Sequence, residues 1–187
     1  GVTARSLRAA LVCVAALALV PAAPALGADP KPRVDAAASA ILIDARDGSV
    51  LLDKNPSAKR SMASTTKLMT ALLTLEHTRP RQVFRASDYD AAPIESQIGL
   101  RPGERMRVSD LFEALMLESA NDAAVTLAEG ISGSSEEFVA DMNRRAAELG
   151  LADTSYANPI GLDDRSNYST ARDLATLAFV LMQRPRF

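Results

Sequence analysis

The chain has 187 residues, 48% hydrophobic and 24% charged, which suffices for one globular domain with a hydrophobic core. Its formal net charge is −2, and no basic block interleaved with aromatic residues occurs, so the sequence argues against a nucleic-acid partner. The one cysteine, Cys13, lies in an apolar N-terminal segment, and the one histidine is His77. Cysteine chemistry is therefore excluded from the remainder of the chain, and a Ser-His-Asp triad has a single histidine candidate.

The first 28 residues have the layout of a secretory signal peptide. Two arginines begin it, an apolar stretch follows, and small residues precede Ala28. The apolar stretch is shorter than the roughly 20 residues that a transmembrane helix needs. We expect cleavage after Ala28, with Ala25 as the second choice and an uncleaved anchor as the alternative. The protein is thus predicted to be exported to the extracytoplasmic side of the membrane.

The next elements are a leader and a β-hairpin. Residues 29–37 are polar, contain prolines and are predicted to be disordered. Residues 39–44, with Ile41, Leu42 and Ile43 at their centre, indicate a buried strand. The Asp47-Gly48 pair then predicts a tight turn, and Val50-Leu51-Leu52 predicts the returning strand. The catalytic part of the chain is expected to begin at this hairpin, over residues 38–187.

Helical spacing of apolar residues predicts five helices in the rest of the chain. They are expected around residues 68–75, 108–116, 122–129, 138–149 and 174–182. Gly150 is placed to end the fourth helix, and Thr170 with Asp173 resembles a capping box before the fifth. Residues 79–103 show no clear period and are expected to be irregular. One hairpin followed by helices indicates an α+β fold with an incomplete sheet.

Two short polar motifs stand at the starts of the first and third predicted helices. The first is Ser64-Thr65-Thr66-Lys67, and the second, Ser119-Ala120-Asn121, begins 52 residues after Lys67. A serine and a lysine three apart in a helical register share one face, so the amine can reach the hydroxyl. The second serine and the amide can complete a polar cluster around that pair.

This cluster has the residue types for nucleophilic catalysis. A serine hydroxyl is a poor nucleophile at neutral pH and needs an adjacent base. Lys67 can act as that base only when it is neutral, which requires burial or a second cation to lower its pKa. A helix N-terminus at Ser64 favours the developing negative charge. Ser119 could relay a proton to the leaving group, and Asn121 could hold Lys67 or a substrate carbonyl.

Each motif also has a purely structural interpretation. Serine and lysine three apart occur often by chance on exposed helices, and Ser64 or a neighbour could be an N-cap. Ser119-Ala120-Asn121 could be a loop between helices, with Asn121 capping the second one. The order, the separation and the helical setting of the two motifs together favour the catalytic interpretation.

Several segments resemble the serine D-alanyl-D-alanine carboxypeptidases, the low-molecular-mass penicillin-binding proteins. The resemblance covers residues 38–182 and includes the hairpin, both motifs with their flanking residues, Asn158 with Gly161-Leu162, and residues 168–174. It implies a β-lactamase/transpeptidase-like helical cluster with an antiparallel sheet, of which only the N-terminal hairpin is present here. It also implies that Ser64 is the acylated nucleophile, Lys67 the general base, and Ser119 with Asn121 the proton-relay and substrate-orienting pair.

The resemblance further implies a substrate and an inhibitor class. Such enzymes remove the terminal D-alanine from peptidoglycan pentapeptides through an acyl-enzyme, and β-lactams acylate the same serine. No metal and no organic cofactor is implied. Family members often carry a C-terminal membrane-attachment segment, so a membrane surface is a further expected partner.

One family motif is missing from this sequence. A Lys-Thr-Gly strand should follow the last helix, where it forms a wall of the cleft and binds the substrate carboxylate. No lysine follows Lys67. We therefore expect the 187 residues to be a C-terminally truncated part of a longer protein, to leave an apolar sheet face uncovered, to fold poorly and to show little activity.

Three other functions compete with the carboxypeptidase. A class A β-lactamase would need aspartate in place of Ala120 and an E-x-x-L-N loop, and this sequence has neither. A transpeptidase of the same superfamily forms the same acyl-enzyme and differs only in the acceptor. A non-catalytic cell-wall-binding relative would not need Ser64, so the retained motifs make it the weaker alternative. His77 is assigned no catalytic role.

Overall fold

A computed structural model describes residues 34–187, so the predicted signal peptide, Cys13 and residues 29–33 of the predicted leader lie outside the described range. In this range the strands are β1 (Ala40–Ile43), β2 (Val50–Lys54), β3 (Arg60–Ser61), β4 (Val83–Arg85), β5 (Arg105–Arg107) and β6 (Tyr168–Ser169). The α-helices are α1 (Lys67–His77), α2 (Val108–Leu117), α3 (Asn121–Ser132), α4 (Ser135–Glu148) and α5 (Ala171–Met182). A 3-10 turn, Ala63–Thr66, leads into α1.

The strands pair in three antiparallel ladders. β1 and β2 form the predicted hairpin, with Leu42 opposite Leu52. The ladders of β3 with β6 and of β4 with β5 were not expected from the sequence. β4 lies inside residues 79–103, which the sequence predicts to be irregular, and β5 lies just after that segment. Strands of two or three residues are too short to show an alternating pattern, which is why the sequence does not predict them.

The five predicted helices are confirmed. α3 is longer than its alanine-rich pattern indicated, because it begins at Asn121 and continues to Ser132 before Gly133, which has φ of +91°. Half of the predicted capping box forms at α5: the Thr170 hydroxyl accepts a hydrogen bond of 3.1 Å from the Asp173 N–H, whereas the Asp173 carboxylate accepts from the Asp153 N–H and the Thr154 hydroxyl. Local sequence patterns are thus sufficient to locate these helices.

Helix α3 lies at the centre of the hydrophobic core. Residues 121–128 are all buried, and the helix packs against α1, α2 and α4. A helix that is buried on every side is a core helix rather than an amphipathic surface helix. α1 contacts the same helix and is itself buried over residues 69–74. Both sequence motifs therefore stand at the N-terminal ends of two helices that pack against each other.

The hairpin of β1 and β2 packs against α5. One of its contacts is the turn glycine Gly48, over which the Phe179 ring lies. Apolar side chains elsewhere on the hairpin are solvent-exposed, with Leu42, Val50 and Leu51 exposed by 42%, 47% and 61%. Within residues 34–187, part of the apolar surface of the hairpin is therefore left uncovered.

Candidate active site

Ser64 lies in the 3-10 turn before α1, and its side chain is exposed. The preceding residue, Ala63, has φ of +47°, a left-handed conformation that is unusual for a residue other than glycine. The turn is closed by Thr65, whose N–H and hydroxyl both donate to the Met62 carbonyl, at 3.2 and 2.6 Å. Such a conformation persists only where surrounding contacts impose it. Ser64 is therefore presented to solvent by a defined turn at a helix N-terminus.

Gly161 provides one of these contacts. A Cβ added to it would lie 2.0 Å from the Ala63 carbonyl oxygen, and its φ is +92°. Asn158 shapes the loop around it, because the Asn158 side-chain oxygen accepts from the Gly161 N–H at 2.7 Å. We call residues 158–162 the glycine loop. Only glycine fits where this loop meets the turn that carries Ser64.

Lys67 is the first residue of α1, and it is 4% exposed. Its Nζ donates a hydrogen bond of 2.8 Å to the Ile160 carbonyl in the glycine loop. Burial lowers the pKa of Lys67 to about 8, and the negative charge of Glu95 opposes part of that shift. A lysine with this pKa is neutral in about one molecule in ten at pH 7. Lys67 can therefore serve as a proton acceptor near neutral pH.

Ser119 and Asn121 lie at the junction of α2 and α3. Ser119 is half-buried and has φ of +54°, so it is left-handed, as is Ala63 immediately before the first motif. Asn121 is buried, and its backbone N–H donates to the Ser96 carbonyl at 2.8 Å. Its side-chain Nδ2 donates to Glu95 Oε2 at 2.6 Å. Asn121 is thus held from both its backbone and its side chain.

The capping interpretation of the motifs is not what the structure shows. The N-cap of α1 is Thr66 and that of α3 is Ala120, and neither makes a side-chain capping bond. Ser64 precedes the cap of α1, and Asn121 follows the cap of α3. Their side chains are therefore not needed to close these helix ends.

Glu95 is a site residue that sequence reasoning missed. It lies in the segment between β4 and β5, residues 86–104, which we call the acidic loop. Its carboxylate accepts hydrogen bonds from Asn121 Nδ2 and from the Tyr89 hydroxyl, and these bonds lower its pKa. The loop has no periodicity, and Glu95 is 26 residues from Asn121. No local pattern signals this contact.

The described structure brings three of these side chains into one cluster. Asn121 bonds to Glu95, and Glu95 acts electrostatically on Lys67. Ser64 stands three residues before Lys67, and Ser119 two residues before Asn121. His77 is at the opposite end of α1, about 15 Å along the helix axis from Lys67. A serine, a buried amine of lowered pKa and an amide are suited to acyl transfer.

Within 34–187, no three His, Cys, Asp or Glu side chains are arranged to hold a metal ion. No helix in that range has the length and apolar character required to cross a membrane.

Comparison with known proteins gives a consistent set of relatives. The family model described as D-alanyl-D-alanine carboxypeptidase matches residues 27–186. D-alanyl-D-alanine carboxypeptidase DacF of Bacillus subtilis is 43% identical over 152 residues, which are 79% of this chain and 39% of that protein. Penicillin-binding protein 6B of Escherichia coli superposes with a TM-score of 0.75 at 33% identity, over 79% of this chain and 50% of that one.

A third relative is a variant of a Streptomyces DD-transpeptidase, with a TM-score of 0.75 at 30% identity over 80% of this chain and 62% of that one. The chain thus spans about two-fifths of the Bacillus relative and half of the Escherichia coli structure. These solved structures also confirm the expected α+β fold of the penicillin-binding and transpeptidase type. The family match over most of the sequence shows that the chain belongs to the D-alanyl-D-alanine carboxypeptidase family.

Proposed function

We propose that the protein is a serine-type D-alanyl-D-alanine carboxypeptidase that removes the terminal D-alanine from peptidoglycan stem pentapeptides. The observation that carries this proposal is the buried Lys67, whose pKa of about 8 lies within reach of neutral pH, three residues after the exposed Ser64. Membership of the family and the names of the relatives support the same activity.

The proposed reaction has two steps. Ser64 Oγ attacks the carbonyl of the peptide bond between the two D-alanines, and its proton passes to neutral Lys67. The C–N bond then breaks, and the departing amine takes a proton relayed by Ser119, which leaves an ester on Ser64. Asn121 orients the substrate through its side-chain amide. Water hydrolyses the ester, releasing the shortened peptide and restoring the serine.

A β-lactam would follow the same first step. Attack on the strained amide opens the ring and leaves the antibiotic esterified to Ser64. The test uses the product of the complete gene, incubated with a fluorescent penicillin and, separately, with a pentapeptide ending in D-Ala-D-Ala. We expect covalent labelling at Ser64 by mass spectrometry and release of free D-alanine.

The control variants are Ser64→Ala and Ser61→Ala. Ser61 is an exposed serine of β3 in the same stretch of chain, so its loss should leave labelling intact, whereas Ser64→Ala should abolish it. Labelling that survives Ser64→Ala would refute the assigned nucleophile. A protein that binds penicillin without forming an adduct would be a non-catalytic cell-wall-binding relative.

A transpeptidase is the second candidate, because the Streptomyces DD-transpeptidase variant superposes as closely as the penicillin-binding protein does. Both reactions share the acyl-enzyme, and only the acceptor differs. Adding an amine acceptor with the pentapeptide separates them. Carboxypeptidase activity gives mainly the tetrapeptide, whereas transfer gives the acceptor-linked product in proportion to acceptor concentration.

We further propose that activity requires the Lys-Thr-Gly strand of the family. No lysine follows Lys67 in this chain, so residues 1–187 supply two of the three motifs. The 187-residue polypeptide should fold poorly, and a fluorescent penicillin should label it more weakly than it labels the product of the complete gene. Stable labelling of residues 1–187 at Ser64 would show that the strand is dispensable.

We also propose that the protein is exported and acts in the cell envelope in peptidoglycan biosynthesis, where it would affect cell shape. The basic and apolar N-terminal pattern supports residues 1–28 as the signal peptide, with residues 29–37 as a leader and 38–187 as part of the catalytic domain. N-terminal sequencing of the exported protein should begin at Asp29. Membrane attachment is tested separately, by washing isolated membranes with high salt and with detergent.

A further inference from the structure

Glu95, in the acidic loop, accepts hydrogen bonds from three donors. Asn121 Nδ2 and the Tyr89 hydroxyl both bond to Glu95 Oε2, and the Ala92 N–H bonds to Oε1 at 3.0 Å. Three donors around one carboxylate favour its ionised form. Glu95 is half-buried, so these contacts are not those of a freely rotating surface side chain.

The loop that carries Glu95 is anchored to the start of α3. The buried Asp122 carboxylate accepts from the Ile98 N–H at 3.2 Å and from the Leu100 N–H at 3.0 Å. One residue earlier, the Asn121 N–H donates to the Ser96 carbonyl. These bonds lie on the chain immediately after Glu95. The carboxylate is thereby kept beside Asn121 by the loop backbone as well as by its own side chain.

An ionised carboxylate determines which way the Asn121 amide faces. Glu95 has no hydrogen to donate, so only the NH2 end of the Asn121 amide can bond to it. The opposite end, Oδ1, then points away from Glu95 and can accept from a donor in the site. A neutral neighbour with both donor and acceptor atoms would allow either orientation.

Glu95 also contributes negative charge to the surroundings of Lys67. Burial disfavours the ammonium form of Lys67, and the Glu95 charge favours it. The other titratable groups of this cluster are Tyr89, from the same loop, and Asp122, from α3. The negative charge of Asp122 contributes to raising the pKa of Tyr89. The positive charge of Lys67 in turn contributes to lowering the pKa of Glu95.

From these contacts we propose that Glu95 is a positioning residue of the acylation site, which orients the Asn121 amide and sets the charge balance around Lys67. This inference rests on the proposed function. Glu95 acts through Asn121 and Lys67 and forms no bond to the substrate. Its removal should therefore change the pH profile of acylation as well as the rate.

The test measures acylation by fluorescent penicillin between pH 6 and 10, with the product of the complete gene. Glu95→Gln removes the charge and allows either amide orientation. The midpoint of the rising rate should move down by about half to one pH unit, since Lys67 loses an anion that favours its protonated form. The plateau rate should fall about threefold to tenfold, as part of the Asn121 population is misoriented.

Two further variants separate positioning from folding. Glu104→Gln alters another carboxylate of the same loop, one that accepts from the Arg101 N–H at 3.1 Å, and should keep the wild-type profile. Glu95→Asp keeps the charge and should keep the midpoint even if the protein melts at a lower temperature. A wild-type profile in Glu95→Gln, or equal shifts in Glu95→Gln and Glu104→Gln, would overturn the inference. Absence of any adduct in the wild type would overturn the proposed function, and this inference with it.

Discussion

The turn that carries Ser64 and the turn that carries Ser119 each contain one left-handed non-glycine residue. The contacts that stabilise the two turns are different. The first turn and Lys67 rest on backbone groups of the glycine loop: Gly161 against the Ala63 carbonyl, and the Ile160 carbonyl on Lys67. The residues after Ser119 rest on side-chain carboxylates, with Glu95 on Asn121 and Asp122 on the acidic loop.

The two kinds of support differ in what can remove them. Backbone carbonyls do not titrate, so the support of Ser64 is independent of pH and depends on the absence of a side chain at Gly161. Ionised carboxylates are stronger acceptors than neutral groups, so the support of Asn121 by Glu95, whose pKa is lowered by its hydrogen bonds, is sensitive to charge-removing substitutions. Steric changes should therefore damage the Ser64 side most, and charge changes the Asn121 side.

The largest expected effect comes from removing the amine of Lys67. Lys67→Met keeps a side chain of similar length and removes the general base, so the rate of acylation by a fluorescent penicillin should fall about 1000-fold. In the wild type, acylation should increase as pH rises through about 8, because the neutral amine is the active form. A pH–rate profile of the product of the complete gene measures both effects.

Stability gives an independent check on the same lysine. Its pKa is about 8 when folded against an ordinary 10.5, so the unfolded chain binds the extra proton between these values. Stability should therefore rise with pH across that window, and Lys67→Met should remove the rise. A flat wild-type stability between pH 8 and 10.5, from urea unfolding, would contradict a lowered pKa.

The second effect tests the steric support of Ser64. Gly161→Ala places a Cβ 2.0 Å from the Ala63 carbonyl oxygen, so the turn and the loop must move apart. We expect a loss of about 3 kcal/mol in the free energy of unfolding and acylation about 100-fold slower. Chemical denaturation and the acylation rate measure the two quantities.

Gly133→Ala is the matched control for that substitution. Gly133 has nearly the same φ, +91°, but no described atom lies within 4 Å of the added Cβ. The free energy of unfolding of this variant should fall by only about 1 kcal/mol, which is the cost of a left-handed alanine. Its acylation rate should equal that of the wild type. Equal losses in both variants would mean that backbone conformation, and not the contact with Ala63, explains Gly161.

The smallest of the three effects tests the carboxylate support of the other turn. Asp122→Ala removes the acceptor for the Ile98 and Leu100 N–H groups, so the acidic loop should exchange its amide hydrogens faster. We expect a loss of about 2 kcal/mol in stability and acylation about tenfold slower. Asp110→Ala, at an exposed aspartate in the first turn of α2, should cost about 0.5 kcal/mol. If the acidic loop exchanges at the wild-type rate in Asp122→Ala, the anchoring role is wrong.

Sequence reasoning predicted the hairpin and all five helices because their signals are local. Apolar spacing, the Asp47-Gly48 turn and the Thr170 cap each involve residues a few positions apart. It did not predict β3 paired with β6, which joins Arg60 to Ser169 across more than 100 residues. It identified Gly161 only as part of a resemblance, since nothing nearby in the sequence shows that Ala63 lies against it. Roles for Ser64, Lys67, Ser119 and Asn121 remain predictions.

The sequence alone determined the helices, the spacing of the two motifs and, through them, the family. Only the tertiary structure decided which groups surround those motifs. Burial lowers the pKa of Lys67, and Glu95 reaches Asn121 from a loop without any repeating pattern. Helix propensity and capping act over a few residues, whereas desolvation and charge depend on whatever the fold brings near. The chemistry of the candidate site therefore becomes readable only once α1, α3 and the two loops are packed together.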